Sequence, residues 1–219
     1  MKNILKYVIV ISLSIVIFAC TKQEVIDTGI SSPYYDGSIM QFLRSDKYNF
    51  GMTVEMIERG GLVDLFEGKV DTCQELTFLA FKTHTVYLFL LDNNLDSVAQ
   101  LQPEFCRDIV LRHVINGKHI KGDINYRNLD YNFTAGEITE EKAGGSIFTT
   151  LDDAQVFLYR EKSDYEGVPN MGPEFLYAYS ITEKTYLPMA TPDIQPHNGV
   201  IHALTPYYRW TYDLSIWTK

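Results

Sequence analysis

Cysteine is scarce in this chain, with Cys20, Cys73 and Cys106 the only three among 219 residues. None belongs to a Cys-x-x-Cys pair, so neither a zinc-ribbon spacing nor a thioredoxin-like redox motif is present. Basic residues are also few, 19 against 28 acids. That balance argues against binding nucleic acid or anionic lipid headgroups through net charge. There is no Gly-x-Ser-x-Gly elbow and no phosphate loop. The five histidines, His84, His113, His119, His197 and His202, never stand four apart with an acid between, which removes a metalloprotease-like helix. His113 and His119 straddle a helix end, a poor arrangement for joining Asp123 on a metal. His113 and His202 read instead as hydrogen-bonded structural histidines. Asp152-Asp153 and Glu140-Glu141 fall in loops and read as solvated acids, although glycosidase carboxylates can lie far apart in sequence. No catalytic residue, cofactor or metal is expected, and no internal repeat or low-complexity tract is visible.

What the chain does have begins at residue 1. Lys2 and Lys6 precede an apolar run from Val8 to Phe18, and Ala19 stands before Cys20. A positive start, a short apolar stretch and a small residue at the cut form the pattern of an export signal. The run is too short to span a bilayer comfortably as a permanent helix. Ile17-Phe18-Ala19-Cys20 resembles a bacterial lipobox, with Phe18 bulkier than usual at its position. The resemblance implies that Cys20 is lipidated and becomes the mature N-terminus, anchoring the protein to a membrane. Removal of residues 1–19 takes Lys2 and Lys6 away, so the formal charge moves from −9 to −11 over 200 residues. That length suits one domain with a substantial core. Cys73 and Cys106, 33 positions apart, suit either one disulfide in an exported protein or two buried thiols.

Residues 20–37 are polar and carry Gly29, Ser31, Ser32 and Pro33, the composition of a flexible tether. A single domain is expected over 38–219. Ile39 to Leu43 and Met52 to Ile57 recur at helical spacing, stopped by Gly60-Gly61. Leu62 to Phe66 forms a short apolar turn ended by Gly68. Glu75 to Phe81 reads as a buried strand, Val86 to Leu91 as a short helix. Pro103 and Glu104 then open a helix with Phe105, Ile109, Val110 and Val114 on one face, ended by Asn116-Gly117. Beyond Lys118 come short strand-like runs at 146–150, 154–160, 175–181, 186–189 and 200–204, separated by Gly, Pro, Asn and Asp. Helices first and strands later indicate an α+β fold or a decorated β-sandwich, not a parallel α/β sheet.

Four separated segments resemble fasciclin-like domains. Arg59-Gly60-Gly61-Leu62-Val63-Asp64-Leu65-Phe66 is similar to the family's helix–Gly–Leu-x-Asp-x-Leu segment. Glu75 to Phe81, with Thr77 and Phe78, resembles the first signature motif. Leu111 to Lys118, containing His113 and Gly117, resembles the end of the central helix. Asn198-Gly199-Val200-Ile201-His202 looks like the second motif, in which an Asn-Gly turn enters the last core strand; Asn-Gly is also the strongest short turn signal on physical grounds. The resemblance spans roughly Ser38 to Pro206. It implies a wedge-shaped β-sandwich with flanking N-terminal and central helices, and a role in adhesion or matrix contact. This sequence departs from the pattern at Phe81-Lys82-Thr83 and at Arg112, which stands where the family's Tyr-His pair has its tyrosine. The integrin contact linked to that pair in some animal members is therefore not carried over. Residues 126–145 and 163–173 look like surface insertions. A lipobox with one such domain resembles surface lipoproteins of Bacteroidetes-type bacteria.

Tyrosine is abundant, with 15 residues, many of them late in the chain. Tyr177 and Tyr179 share a strand face and suit a sandwich core. Tyr207, Tyr208 and Trp210, just past the last expected strand, form a candidate ligand platform, because exposed aromatic rings stack on sugars or anchor protein contacts. Asp96-Ser97-Val98 matches a short bacterial O-glycosylation pattern, Asn132-Phe133-Thr134 an N-glycosylation sequon that is idle in a bacterium, and Lys22-Gln23-Glu24 part of a surface-export tag. The leading expectation is an outer-membrane lipoprotein, non-enzymatic, contacting an extracellular protein. The alternative is a glycan-binding accessory of a surface polysaccharide-uptake system, and a periplasmic hydrolase comes third.

Overall fold

The computed structural model describes residues 32–214. The leader, Cys20 and its anchor, the Lys22-Glu24 tag, the tether up to residue 31 and Trp217 lie outside the described residues. No helix among those described is long and apolar enough to cross a membrane.

The helical first half contains α1 (Ile39–Ser45), α2 (Lys47–Arg59) and α3 (Val63–Phe66), then β1 (Leu76–Ala80), α4 (Thr83–Asp92), α5 (Pro103–Leu111) and β2 (Val114–Asn116). The second half contains α6 (Glu140–Ala143), β3 (Ser146–Thr149), β4 (Gln155–Lys162), β5 (Glu174–Ser180), β6 (Thr185–Leu187), β7 (Met189–Ile194) and β8 (Gly199–Leu204). Two four-stranded sheets result, in the orders β2-β1-β8-β7 and β3-β4-β5-β6. Only the β1–β8 pair is parallel, in register from Leu76 opposite Gly199 to Ala80 opposite Ala203. The fold is α+β.

Local chemistry explains most boundaries. Ser38 and Gln41 form a reciprocal capping box at the start of α1, satisfying two amide donors that the first turn leaves unpaired. Asp46 accepts from the Asn49 N–H and caps α2, which splits the apolar stretch into two helices. Pro103 occupies the first turn of α5, where a missing N–H costs nothing. That helix stops at Leu111, earlier than the sequence predicts. Asn116-Gly117 closes strand β2 instead, with Gly117 at φ +88° and its N–H on the Glu75 carbonyl. Pro188, which has no N–H to give a ladder, stands between β6 and β7 where the chain changes sheets.

One core fills the space between the helices and both sheets, taking Leu76, Phe78 and Ile201 from the first sheet and Val156, Leu158 and Ala178 from the second. Strand β8 is buried along its whole length. Alternation along β4 and β5 sends Phe157, Tyr159 and Tyr179 to the opposite face, where Phe133 and Ala143 close a smaller aromatic cluster. Part of the segment 126–145 is therefore a lid on that cluster and not a plain surface insertion. The strand tyrosines divide: Tyr179 is buried under Phe133, whereas Tyr177 is 37% exposed and Tyr186 is 51% exposed. Glu140 and Glu141 open α6 and do not sit in a loop. The segment 163–173 carries the exposed Tyr165, Val168 and Met171.

Folded chain starts slightly before Ser38. The Tyr35 N–H donates to the Gln195 carbonyl and the Gln195 N–H to the Pro33 carbonyl, so a few tether residues belong to the domain. Cys73 and Cys106 are both free and buried. Burial pushes the Cys106 thiol up to about 11 and the Cys73 thiol up as well, and the thiols are thus kept unreactive by lack of solvation.

Candidate functional site

The family-motif residues converge, but on each other. The Thr77 hydroxyl donates to the Gly117 carbonyl at 2.7 Å and accepts from the His119 N–H at 2.9 Å. The His119 carbonyl accepts from His202 Nε2 at 2.9 Å, and His202 Nδ1 accepts from the Asp193 N–H at 3.2 Å. One hydrogen-bonded chain thus ties β1, the exit of β2, β8 and β7. Burial pushes the His202 pKa below its ordinary value, against the pull of the His119 carbonyl and the Asp193 carboxylate. Asn198 works at longer range: its Oδ1 accepts from the Ile39 N–H at 2.8 Å and its Nδ2 donates to the Phe66 carbonyl at 3.0 Å. Val200, Ile201 and Phe78 are core residues. The polar members of this set bond within the fold.

His113 is equally committed. Its Nδ1 lies 2.8 Å from the Ile109 carbonyl and its Nε2 3.3 Å from the Tyr208 hydroxyl, which makes Nδ1 the protonated nitrogen and Nε2 the acceptor. Burial lowers its pKa, keeping it neutral. His119 rests on Phe148 instead. Among the described residues no group of three His, Cys, Asp or Glu side chains is placed to hold a metal ion.

Arg112 forms a neighbouring closed polar cluster. Its guanidinium donates to Asp152 at 2.6 Å and to Glu183 at 3.1 Å, and lies 5.4 Å from the centre of the Tyr212 ring. Burial opposes its charge, but the Asp152 hydrogen bond and the surrounding Tyr212, Asp152 and Glu183 oxygens outweigh that, and its pKa rises. Asp152 is therefore ion-paired and not merely solvated. With Asp152 and Glu183 both engaged, the cluster clamps the second half of the fold to the α5–β2 junction.

The platform expected from Tyr207, Tyr208 and Trp210 does not exist as a unit. Tyr208 is 4% and Trp210 6% exposed, while Tyr207 is 82% exposed. The chain after β8 turns back over the core, so alternate residues point inward. Trp210 packs 4.7 Å from Phe81 and 5.5 Å from Phe89, edge to face.

Tyr207 instead joins a groove of about 400 Å³ whose other walls are helical. From α2 come Tyr48, Asn49 and Met52; from the start of α4 come Lys82, Thr83, His84 and Tyr87. Tyr48 is 91% and Tyr87 48% exposed, and the His84 and Tyr87 rings lie nearly parallel with centroids 6.2 Å apart. The floor is fixed by two contacts between the elements. The Thr53 hydroxyl donates to the Phe81 carbonyl at 2.8 Å, and Thr83 Oγ1 accepts from the Met52 N–H at 3.3 Å. Tyr48 and Tyr87 carry no signal of this role in the sequence, because each is one residue of a separate helix and only helix packing brings them to Tyr207.

This groove has aromatic faces, amide and hydroxyl groups and one cation. Its aromatic faces and polar groups are those of a surface that can hold a ligand.

No family model and no curated protein matches the chain. Among solved structures it is similar to a FAS1 domain pair from the insect cell adhesion molecule fasciclin I, with a TM-score of 0.50 and 16% identity. The match covers 82% of this chain and 52% of that structure, so the chain spans about half the length of the pair. At this identity the likeness is one of fold, and it agrees with the α+β arrangement of helices and two sheets described above.

Proposed function

We propose that this protein is a lipoprotein anchored through Cys20 in the outer membrane, whose single fasciclin-like domain faces outward and works as a non-enzymatic contact module in adhesion. The observation that carries the reading is the likeness of its fold to the domain pair of a cell adhesion molecule. The lipobox-like leader supports the anchoring, and the acidic surface disfavours nucleic acid as a partner. The motif residues, with His113 and His202 among them, are spent on holding the fold, which leaves surface features to carry recognition. In-frame deletion of residues 33–214, keeping leader and tether, should reduce attachment between cells, or of cells to a coated surface, as far as loss of the whole gene does. Unchanged attachment, or turnover of a glycan or peptide by the purified protein, would contradict it. A second reading, a glycan-binding accessory for polysaccharide uptake, is favoured by one observation, the aromatic groove around Tyr48 and Tyr207.

A further inference from the structure

We propose that the groove between α2, the start of α4 and the turn after β8 binds a glycan bearing uronic-acid carboxylates. Its sugar rings stack on Tyr48 and Tyr207, and one carboxylate pairs with Lys82. The inference rests on the contact-module reading and names the ligand of that contact.

Three observations carry it. First, the cavity, about 400 Å³, lies in the size range of small-ligand sites, and its floor is held by the Thr53–Phe81 and Met52–Thr83 hydrogen bonds. The two helices that frame the groove are therefore held at a fixed spacing, and the ordering cost of binding is confined to the exposed side chains.

Second, the walls suit a sugar better than an apolar peptide. Tyrosine faces supply flat surface for the C–H side of a pyranose, with hydroxyl tips left in water. Asn49, whose Nδ2 donates to Asp46 at 2.7 Å and whose Oδ1 is left to accept, and the Thr83 hydroxyl add polar groups between them. Met52 and Pro206 are the only aliphatic side chains in the lining, too few for the successive pockets that an amphipathic helix or a hydrophobic strand requires.

Third, the local charge is opposite to that of the protein. In a chain with 28 acids and 19 bases, no carboxylate lines this groove, and Asp46 behind it is held by the Asn49 N–H and Nδ2. Lys82 takes part in no ion pair among the described residues, and His84 stands beside it. One unpaired lysine next to stacking rings matches one carboxylate per sugar. A sulfated chain, with several charges, calls for clustered arginines and lysines.

The experiment is calorimetric titration of the full-length protein in detergent with four probes. These are an oligogalacturonate, the same oligosaccharide fully methyl-esterified, a sulfated oligosaccharide of equal length, and a proline-rich peptide. The acid should bind most tightly. Lys82→Gln should bring its affinity down about tenfold, to that of the ester, the usual scale for losing one charge-assisted hydrogen bond. Tyr48→Ala and Tyr207→Ala should weaken acid and ester alike. Both side chains are nearly free of the fold, so unchanged melting of these variants is expected and makes the loss interpretable. Equal binding of acid and ester, preference for the sulfated chain or the peptide, indifference to the tyrosines, or no binding at all would each overturn the proposal. If the domain deletion abolishes attachment while no uronate binds, this inference fails and the contact reading stands. If uronate binds through the groove but attachment is unchanged by the deletion, the contact reading fails instead.

Discussion

Asn198 provides the sharpest test of how the fold is held. Its amide spans two elements far away in sequence, accepting from the Ile39 N–H at 2.8 Å and donating to the Phe66 carbonyl at 3.0 Å. The first is a donor of the opening turn of α1, the second an acceptor at the end of α3; neither can be satisfied within its own helix. Asn198→Ala removes both partners. An unsatisfied buried group costs about 1–3 kcal/mol. Because Asn198 is only half-buried, water reaches part of the gap, and a total of about 2–3 kcal/mol is expected from the low end of that range. With a urea slope of about 2–3 kcal/mol/M for a domain of this size, the midpoint should fall by about 1 M. Asn198→Asp separates the two bonds. Its carboxylate still accepts from Ile39, helped by the helix amino end, but sets a charge against the Phe66 carbonyl. Compared with wild type at the same pH, its deficit should shrink as pH falls toward about 4, where the acid regains a proton to donate. Equilibrium urea denaturation of the three proteins from pH 4 to 7.5 measures this. An alanine variant within about 0.5 kcal/mol of wild type would refute the account of Asn198 as a staple.

Gly199→Ala should be harsher, since at φ +147° a Cβ would lie 2.0 Å from the Leu76 carbonyl oxygen on the paired strand. A loss of about 3 kcal/mol or more, seen as collapse of soluble yield or melting temperature, is expected. Trp210→Ala should cost about 3–5 kcal/mol by emptying the space against Phe81 and Phe89, whereas Tyr207→Ala should stay within about 0.5 kcal/mol; thermal melts of the pair compare them. His113 and His202 are held neutral by burial, with Arg112, Asp152 and Glu183 facing the first and Asp193 and His119 the second. The unfolded chain protonates both near pH 6.5 while the folded chain does not. Unfolding therefore takes up protons, and stability rises with pH to a plateau above about 7 and falls below it, by up to about 1.4 kcal/mol per pH unit for each histidine. Urea midpoints that stay flat between pH 7.5 and 5 would contradict this.

The legible parts of the fold were those with their own local chemistry. Pro103 and Glu104 announce α5, and the Glu75–Phe81 and Val200–Leu204 runs announce the two central strands, because burial on both faces demands mostly apolar residues, with Thr77 and His202 as hydrogen-bonded exceptions. Asn116-Gly117 misled, since the same turn signal ends a helix or a strand, and three residues of β2 are too few to show a period of two. Tyr208 and Trp210 looked outward because a segment after the last strand has no periodicity to give its direction; only its return over Phe81 and Phe89 decides it. The motif histidines and Thr77 were readable as structural, though not as one connected chain, because their links run through backbone carbonyls. Of the groove, Tyr207 alone was legible. Tyr48 and Tyr87 became visible only once α2 was packed against α4.

The central claim is a domain displayed outward on the cell. Tyr165, 58% exposed in the β4–β5 connection and remote in sequence from the groove, is the place for Tyr165→Cys; Cys73 and Cys106 are buried and stay silent to a bulky reagent. Treating intact cells with a membrane-impermeant maleimide should label the variant and leave wild type unlabelled. Labelling of the variant only after the outer membrane is opened would place the domain inside and contradict the account.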